Sequence, residues 1–300
     1  MARAKESSDE GWDLNQGARL HRRGGQGGSG DLLADFCDFA KVDLGLSGKT
    51  VKGCRRALGR FLATLKKPVA EVTAGDVREW LRPLADGSPN TYGNALKPLK
   101  VFFRDFMQMP QAVESFKFRK ITLAPVIIPS REQLQKFYSA LRTPIAKALF
   151  LMYISSGLRK MELLSLSKDD VDWEKRMIIP NNHSGETKKS WLAFFNEEAE
   201  TALKEYLATR RDASPKLFRI SLHSFIDIWK YASQDSGVRA TPQILREWFC
   251  AEMVSKRVSD SYVDAFCCRV PRSILARHYL DYSPEKLKQL YDWANLRVLS

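Results

Sequence analysis

The sequence predicts a mainly helical protein of two domains with one small antiparallel β-sheet, and three observations predict it. Apolar residues recur at helical spacing through most of the chain, with capping residues ahead of them. A stretch with three prolines and a basic run interrupts that pattern between residues 109 and 129 and divides the chain in two. After residue 170, two short apolar runs flank a loop rich in Asn and Gly, which reads as a pair of strands. Three hundred residues fit two domains better than one large core.

Residues 1–30 contain seven glycines and end in Arg22-Arg23-Gly24-Gly25, too poor in apolar side chains to pack, so a flexible basic tail is expected. No apolar h-region of a secretory signal and no run of eighteen apolar residues occurs, so nothing is expected to span a membrane. Residues 31–108 then read as a small helical domain. Asp31 caps a first helix carrying Leu32, Leu33, Phe36 and Phe39 on one side, ending near Gly45. Ser47 starts a second, with Val51, Cys54, Leu58, Phe61 and Leu62 inward and Lys49, Lys52, Arg55, Arg56 and Arg60 outward. Thr73 caps a third through Val77, Trp80 and Leu81. Ser88 opens a fourth, in which Tyr92, Leu96, Leu99, Phe102, Phe103 and Phe106 keep helical spacing despite Pro98.

Residues 109–129 read as a linker bearing Lys117, Arg119 and Lys120, and residues 130–300 as the second domain. Ser130-Arg131-Glu132-Gln133 is a good helix start, leading to Leu134, Phe137, Tyr138 and Leu141. Thr143-Pro144 opens a helix apolar almost all round from Ile145 to Ile154, which should be central. It leads into Ser156-Gly157-Leu158-Arg159: a glycine turn, then a helix whose Met161, Leu163, Leu164 and Leu166 pack inward while Arg159 faces a cleft as the buried arginine of an anion site. The strands are expected over Met177–Pro180 and Trp191–Phe195, with Glu186-Thr187-Lys188-Lys189 at the hairpin tip. Helices are expected over 196–209, 222–233, 241–257, 261–267, 271–280 and 283–296, the last one amphipathic through Leu287, Leu290, Tyr291, Trp293, Ala294 and Leu296.

Composition narrows the function. A net charge of +13, from 48 basic against 35 acidic residues, points to a polyanionic partner. The basic residues are spread along the chain and not gathered on one helix, which favours nucleic acid over an anionic membrane. Five cysteines (37, 54, 250, 267 and 268), without CxxC spacing or histidines at ligand spacing, read as free, mostly buried thiols of a reducing cytosol, with no metal site and no cofactor.

Arg159, a hairpin lysine about thirty residues later, Arg246 within Thr241-Pro242-Gln243-Ile244-Leu245-Arg246, and Tyr279 succeed one another in an order that resembles the tyrosine recombinase (phage integrase) family, over the whole chain from about Asp31. The Ser-Gly-Leu-Arg-x-x-Glu-Leu-x-x-Leu run is similar to the family's first arginine motif. Pro-Gln-x-Leu-Arg stands where the family has His-x-x-Arg. Residues 269–279, Arg-Val-Pro-Arg-Ser-Ile-Leu-Ala-Arg-His-Tyr, look like the tyrosine segment of integrases from archaeal viruses and plasmids.

The resemblance implies a C-shaped two-domain clamp on double-stranded DNA, a helical core-binding domain plus an α+β catalytic domain, cutting and rejoining strands through a 3′-phosphotyrosyl bond without metal or cofactor. It assigns catalytic roles to Arg159, Lys188, Gln243, Arg246, Arg269 and Tyr279, and DNA contacts to Lys49, Lys52, Arg55, Arg56, Lys117, Arg119, Lys120 and Lys189. The chemistry agrees: two arginine forks suit two non-bridging phosphate oxygens, a lysine can protonate the departing 5′-oxygen, and a tyrosine can attack phosphorus.

Two choices stay open at this level. Lys188 is preferred to Lys189 because it comes directly after Thr187, and the family's lysine often comes after a threonine. Tyr282, three residues on and so expected on the same helical face, competes with Tyr279, which is preferred because Ser283-Pro284-Glu285-Lys286-Leu287 matches the segment just downstream of the family's nucleophile. Gln243 departs from the family's histidine or lysine, since it can hydrogen-bond phosphate but carries no charge. Arg269 stands at the position usually held by His or Trp, and Glu162, one turn after Arg159, is placed either to orient that arginine or simply to salt-bridge with a neighbour. The implied setting is the cytoplasm, at the nucleoid, with a monomer in solution and a homotetramer on DNA, the last helix docking in cis or on a neighbour. An active recombinase that integrates or excises an archaeal mobile element, a DNA-binding protein without turnover, and strand relaxation like that of a type IB topoisomerase all share this reading.

Overall fold

The computed structural model describes residues 29–122, 125–180, 192–269 and 273–300. The expected basic tail lies outside them except for Ser29 and Gly30, which already belong to a helix. The architecture is mainly helical with one small antiparallel sheet, as the spacing predicts, and the sheet has three strands, one more than the expected pair. The chain separates into two compact units, Met1–Ala124 and Pro125–Ser300.

The first unit holds α1 (Ser29–Val42), α2 (Gly48–Leu62), α3 (Ala74–Leu81) and α4 (Pro89–Lys100). Helix α1 starts two residues before Asp31, which stands in its first turn instead of capping it. The Ser47 hydroxyl accepts from the Thr50 backbone N–H at 3.4 Å and starts α2. At α3, the Thr73 backbone N–H and hydroxyl both donate to the Asp76 carboxylate at 2.7 Å. Helix α4 runs through Pro98 and widens into a π-helical turn over Val101–Phe106, where the Met107 N–H reaches back to the Phe102 carbonyl at 2.8 Å.

Phe36, Phe61, Phe102 and Phe103 are fully buried and meet edge to face. Lys49, Lys52, Arg55, Arg56 and Arg60 are exposed, so α2 divides into an apolar inner and a basic outer face as expected. Ala112 and Val113, placed in the linker by their composition, are fully buried in this core: Pro110 sets a short 3₁₀ turn that folds them back under the helices. Lys117, Arg119 and Lys120 come next, all exposed, with the Arg119 guanidinium 4.8 Å from the centre of the Tyr92 ring.

The second unit is built on α6 (Pro144–Ser156), preceded by α5 (Arg131–Ser139) and followed by α7 (Lys160–Ser165). Ser130 and Gln133 close a reciprocal cap on α5, at 2.9 and 3.3 Å. From Ala148 to Ser156 every residue of α6 is buried, so it is central, and it packs against α8 (Glu197–Ala208) and α10 (Pro242–Ser255). The remaining helices are α9 (Leu222–Ser236), α11 (Asp260–Phe266), α12 (Ile274–Tyr279) and α13 (Pro284–Ala294). Strands β1 (Val171–Asp172), β2 (Met177–Ile178) and β3 (Ala193–Phe194) lie in that order, with Val171 opposite Ile178 and Met177 opposite Phe194. The hairpin tip, with Lys188 and Lys189, lies outside the described residues.

Helix α10 separates two apolar clusters. Leu245 and Trp248 face the one built on α6, while Phe249 and Met253 join Met177, Phe194, Phe266 and Tyr291 in the other. Three expectations about faces fail for geometric reasons. Met161 is 55% exposed although Leu163 is fully buried, because positions two apart on a helix point to different sides. Trp293 is 61% exposed beside buried Ala294 for the same cause. Tyr282 does not share a helical face with Tyr279, since α12 ends at Tyr279.

The C-terminal segment packs on its own chain: the backbone N–H groups of Val298, Leu299 and Ser300 donate to the Glu198 carboxylate at 2.9, 2.9 and 3.1 Å. Among the described residues no helix is long and apolar enough to cross a membrane.

Gly157 ends α6 with a φ of 63°, and a Cβ added there would sit 2.7 Å from the Phe249 ring. The left-handed backbone costs an L side chain about 1–2 kcal/mol and the overlap about as much again, so Gly157→Ala should lose roughly 2–4 kcal/mol. A urea unfolding curve checks this; a midpoint unchanged from wild type would mean that neither the left-handed backbone nor the Phe249 ring resists the added methyl.

Candidate active site

Helix α10 delivers Arg246 into the interior, where its side chain ties together two distant segments. Thr241 caps that helix and Pro242 occupies its first turn, so the backbone frame is set four residues before the arginine. Arg246 is 3% exposed. Its Nη1 donates to the Gly157 carbonyl at 2.6 Å and its Nη2 to the Cys267 carbonyl at 2.5 Å. Gly157 stands two residues before Arg159, and Cys267 two before Arg269. One planar fork thus gathers the three arginine-bearing segments, which only a side chain with several fixed donors could do.

Among the described residues no carboxylate forms an ion pair with Arg246; its charge is held by neutral carbonyls. A buried cation without an acidic partner is costly unless an anion comes to it. The expectation of a buried arginine is therefore met at Arg246 and not at Arg159, whose side chain is 29% exposed and ion-paired.

Arg159 caps α7. Its Nη1 donates to Glu162 Oε1 at 2.6 Å, and its backbone N–H to Glu162 Oε2 at 2.8 Å. Glu162 therefore orients Arg159 from one turn on, as its spacing allows, and leaves the rest of the guanidinium free to turn outward. Arg269 is half exposed, its Nη1 at 3.4 Å from Asp264 Oδ1 and its backbone N–H bonded to the Asp264 carbonyl at 2.8 Å. Gln243 is exposed one turn before Arg246, where its amide donates to Glu247 Oε1 at 2.9 Å.

The two tyrosines differ. Tyr279, the last residue of α12, is 78% exposed. Tyr282 is half buried with its ring edge on Tyr262, 5.7 Å between centres, and burial raises its pKa. Of the two phenols, Tyr279 is the one open to an incoming substrate.

Sequence reasoning missed four groups: the Gly157 and Cys267 carbonyls, Asp264, and the Cys250 thiol. Gly157 had a signal in its turn position. Cys250 stands one helical turn after Arg246, but nothing in the spacing brings Cys267, seventeen residues on, to its side. The Cys250 and Cys267 sulfurs lie 3.3 Å apart. The hydrogen bond from Cys267 and the nearby Arg269 and Arg246 charges lower the Cys250 pKa to about 7, while the same contact and burial push Cys267 up.

A buried guanidinium with no carboxylate partner among the described residues, held between the segments that carry Arg159 and Arg269, marks the class of proteins that receive an anionic group. The comparisons give that class a family. The model of the phage integrase family matches residues 130–285, and that of the phage integrase N-terminal SAM-like domain matches residues 32–112. Tyrosine recombinase XerA of Saccharolobus solfataricus is 26% identical over 242 residues, covering 77% of this chain and 81% of that one.

Among solved structures, the Tn1549 transposon integrase in complex with a circular intermediate DNA superposes with a TM-score of 0.62 at 18% identity, covering 87% of this chain and 98% of that one. A lambda integrase tetramer bound to a Holliday junction gives 0.63 at 14%, covering 87% and 80%. The chain belongs to the phage integrase family, and its enzyme class is that of the tyrosine-type site-specific recombinases.

Proposed function

We propose that this protein is a DNA strand transferase of the integrase type, which integrates or excises a mobile element by cutting and rejoining strands through a covalent 3′-phosphotyrosyl intermediate. The observation that carries the reading is Arg246, buried, fixed by two carbonyls and without a carboxylate partner among the described residues. Its remaining donors and those of Arg159 and Arg269 would hold the non-bridging oxygens of one phosphate, stabilising the charge that builds up in the pentacoordinate transition state. The Tyr279 hydroxyl loses its proton to solvent as its oxygen attacks phosphorus, the bond to the 5′-oxygen breaks, and Lys188 or Lys189 gives that oxygen its proton. The new ester conserves the energy of the bond it replaces, so a second 5′-hydroxyl can reverse the step.

Gln243, bonded to Glu247, adds a hydrogen-bonding amide but no charge, and this favours a second reading in which the protein binds DNA without turnover. A duplex nicked beside the cleavage position separates the two. Active protein accumulates as a covalent adduct on it, because the short cleaved strand diffuses away; the binder retards the same duplex and forms no adduct.

Duplex DNA would be contacted through the exposed Lys49, Lys52, Arg55 and Arg56 of α2, through Lys117, Arg119 and Lys120, and through Lys189. These contacts are to phosphate, so affinity should fall steeply with salt. Replacing Lys52 and Arg55 together by Ala should lower the slope of log Kd against log salt by about 2, if each neutralises one phosphate. Filter binding at several salt concentrations measures it; an unchanged slope removes this face of α2 from the interface. A monomer in solution that becomes a homotetramer on two duplexes completes the proposal, which places the protein in the cytoplasm at the nucleoid.

A further inference from the structure

We propose that Cys250 and Cys267 form a redox-responsive thiol pair, closing to a reversible disulfide between α10 and the turn after α11. The pair stands on geometry. The sulfurs are 3.3 Å apart, and bonding needs them to approach to about 2.05 Å, a movement of little more than an ångström. Cys250 is half buried, so a small oxidant reaches it, whereas Cys267 is fully buried and accessible only to its neighbour. The two therefore divide the roles of attacking and resolving thiol. The hydrogen bond from Cys267, with the Arg269 and Arg246 charges beside it, favours the Cys250 thiolate.

With a peroxide as oxidant, the Cys250 thiolate attacks one peroxide oxygen, the O–O bond breaks, and the departing hydroxide takes a proton to become water. Cys250 is left as the sulfenic acid. The Cys267 sulfur then attacks the Cys250 sulfur; the S–S bond forms, the S–O bond breaks, and the hydroxide leaves with the Cys267 proton as a second water. Two thiols lose two electrons and one peroxide gains them. A dithiol reverses the bridge by exchange.

The location gives the bridge a consequence, which rests on the strand-transfer reading above. Cys250 is one turn from Arg246 on α10, and Cys267 is the residue whose carbonyl the same arginine holds. Arg269 comes two residues later, beyond Cys268, whose φ of 49° already places that turn in a rarely used conformation. Drawing the Cys267 side chain toward α10 shifts both the carbonyl that orients Arg246 and the turn that presents Arg269. A displacement of about 1 Å in such a constellation lowers a rate by roughly a hundredfold.

The test uses the full chain. Purified protein is treated with a small excess of hydrogen peroxide, its remaining thiols are alkylated, and peptides are mapped by mass. The expected result is one cross-linked peptide pair through Cys250 and Cys267, two hydrogens lighter than the reduced pair and restored by dithiothreitol. Cys250→Ser and Cys267→Ser each abolish it and Cys268→Ser leaves it. Linkage through Cys268, or oxidation of Cys250 to sulfinic acid without a cross-link, overturns the pair.

On the nicked duplex, oxidation should slow adduct formation roughly a hundredfold in wild type and leave Cys250→Ser unaffected. A cross-linked protein that reacts at the reduced rate overturns the consequence for catalysis. If the reduced protein forms no adduct at all, the strand-transfer reading is what fails, and the peptide map still decides the thiol pair.

Discussion

Arg246→Ala is expected to cost both stability and strand cleavage, the largest combined loss from a single change in this chain. In the folded protein the guanidinium satisfies the Gly157 and Cys267 carbonyls. Its removal leaves two buried acceptors unpaired, at about 1–3 kcal/mol each, so unfolding should be easier by roughly 2–6 kcal/mol. Arg246→Lys separates architecture from chemistry: an ammonium reaches one carbonyl and keeps the charge, so part of the stability returns. It cannot hold two carbonyls and still present a fork to phosphate, and cleavage of the nicked duplex should stay at least about a hundredfold below wild type. Urea unfolding and single-turnover cleavage measure the two effects. A lysine variant that cleaves at the wild-type rate would confine Arg246 to holding the segments together.

Tyr279→Phe is expected to abolish the covalent adduct while leaving both DNA retardation and the unfolding midpoint as they were. The ring is 78% exposed, so losing its hydroxyl removes no buried contact. Tyr282→Phe should behave the opposite way: adduct formation persists, because that phenol is half buried against Tyr262 and its pKa is raised by burial, which makes it the poorer nucleophile. The readout is a denaturing gel of protein on end-labelled nicked duplex. A band that survives in Tyr279→Phe and disappears in Tyr282→Phe would transfer the nucleophile's role to Tyr282.

Much of the fold was legible before any coordinates. Ser47, Ser130 and Thr143 mark helix starts because a side-chain oxygen ahead of an apolar periodic run satisfies a backbone donor of the first turn, and Thr73 stands at an N-cap too, there donating to the Asp76 carboxylate. The hairpin was legible from its two apolar runs, and Met177 pairs with Phe194 across it. Errors arose where periodicity was stretched over neighbouring residues: Met161 and Trp293 were assigned inward by their hydrophobicity although their turn positions face solvent. The linker was read from prolines and charge, and composition could not show that Ala112 and Val113 fold back into the first core.

The candidate site divides in the same way. The order of Arg159, Arg246, Arg269 and Tyr279 along the chain, and the capping carboxylate of Glu162 one turn from Arg159, are local properties, and local spacing along a helix or turn is what a sequence states directly. Which arginine is buried, which phenol is exposed, and that two thiols seventeen residues apart touch are products of how α6, α10 and α11 pack. Those outcomes depend on side-chain contacts between segments far apart in the chain. The tertiary structure decided them, because burial and partnership are properties of pairs of segments and no single stretch of residues carries them.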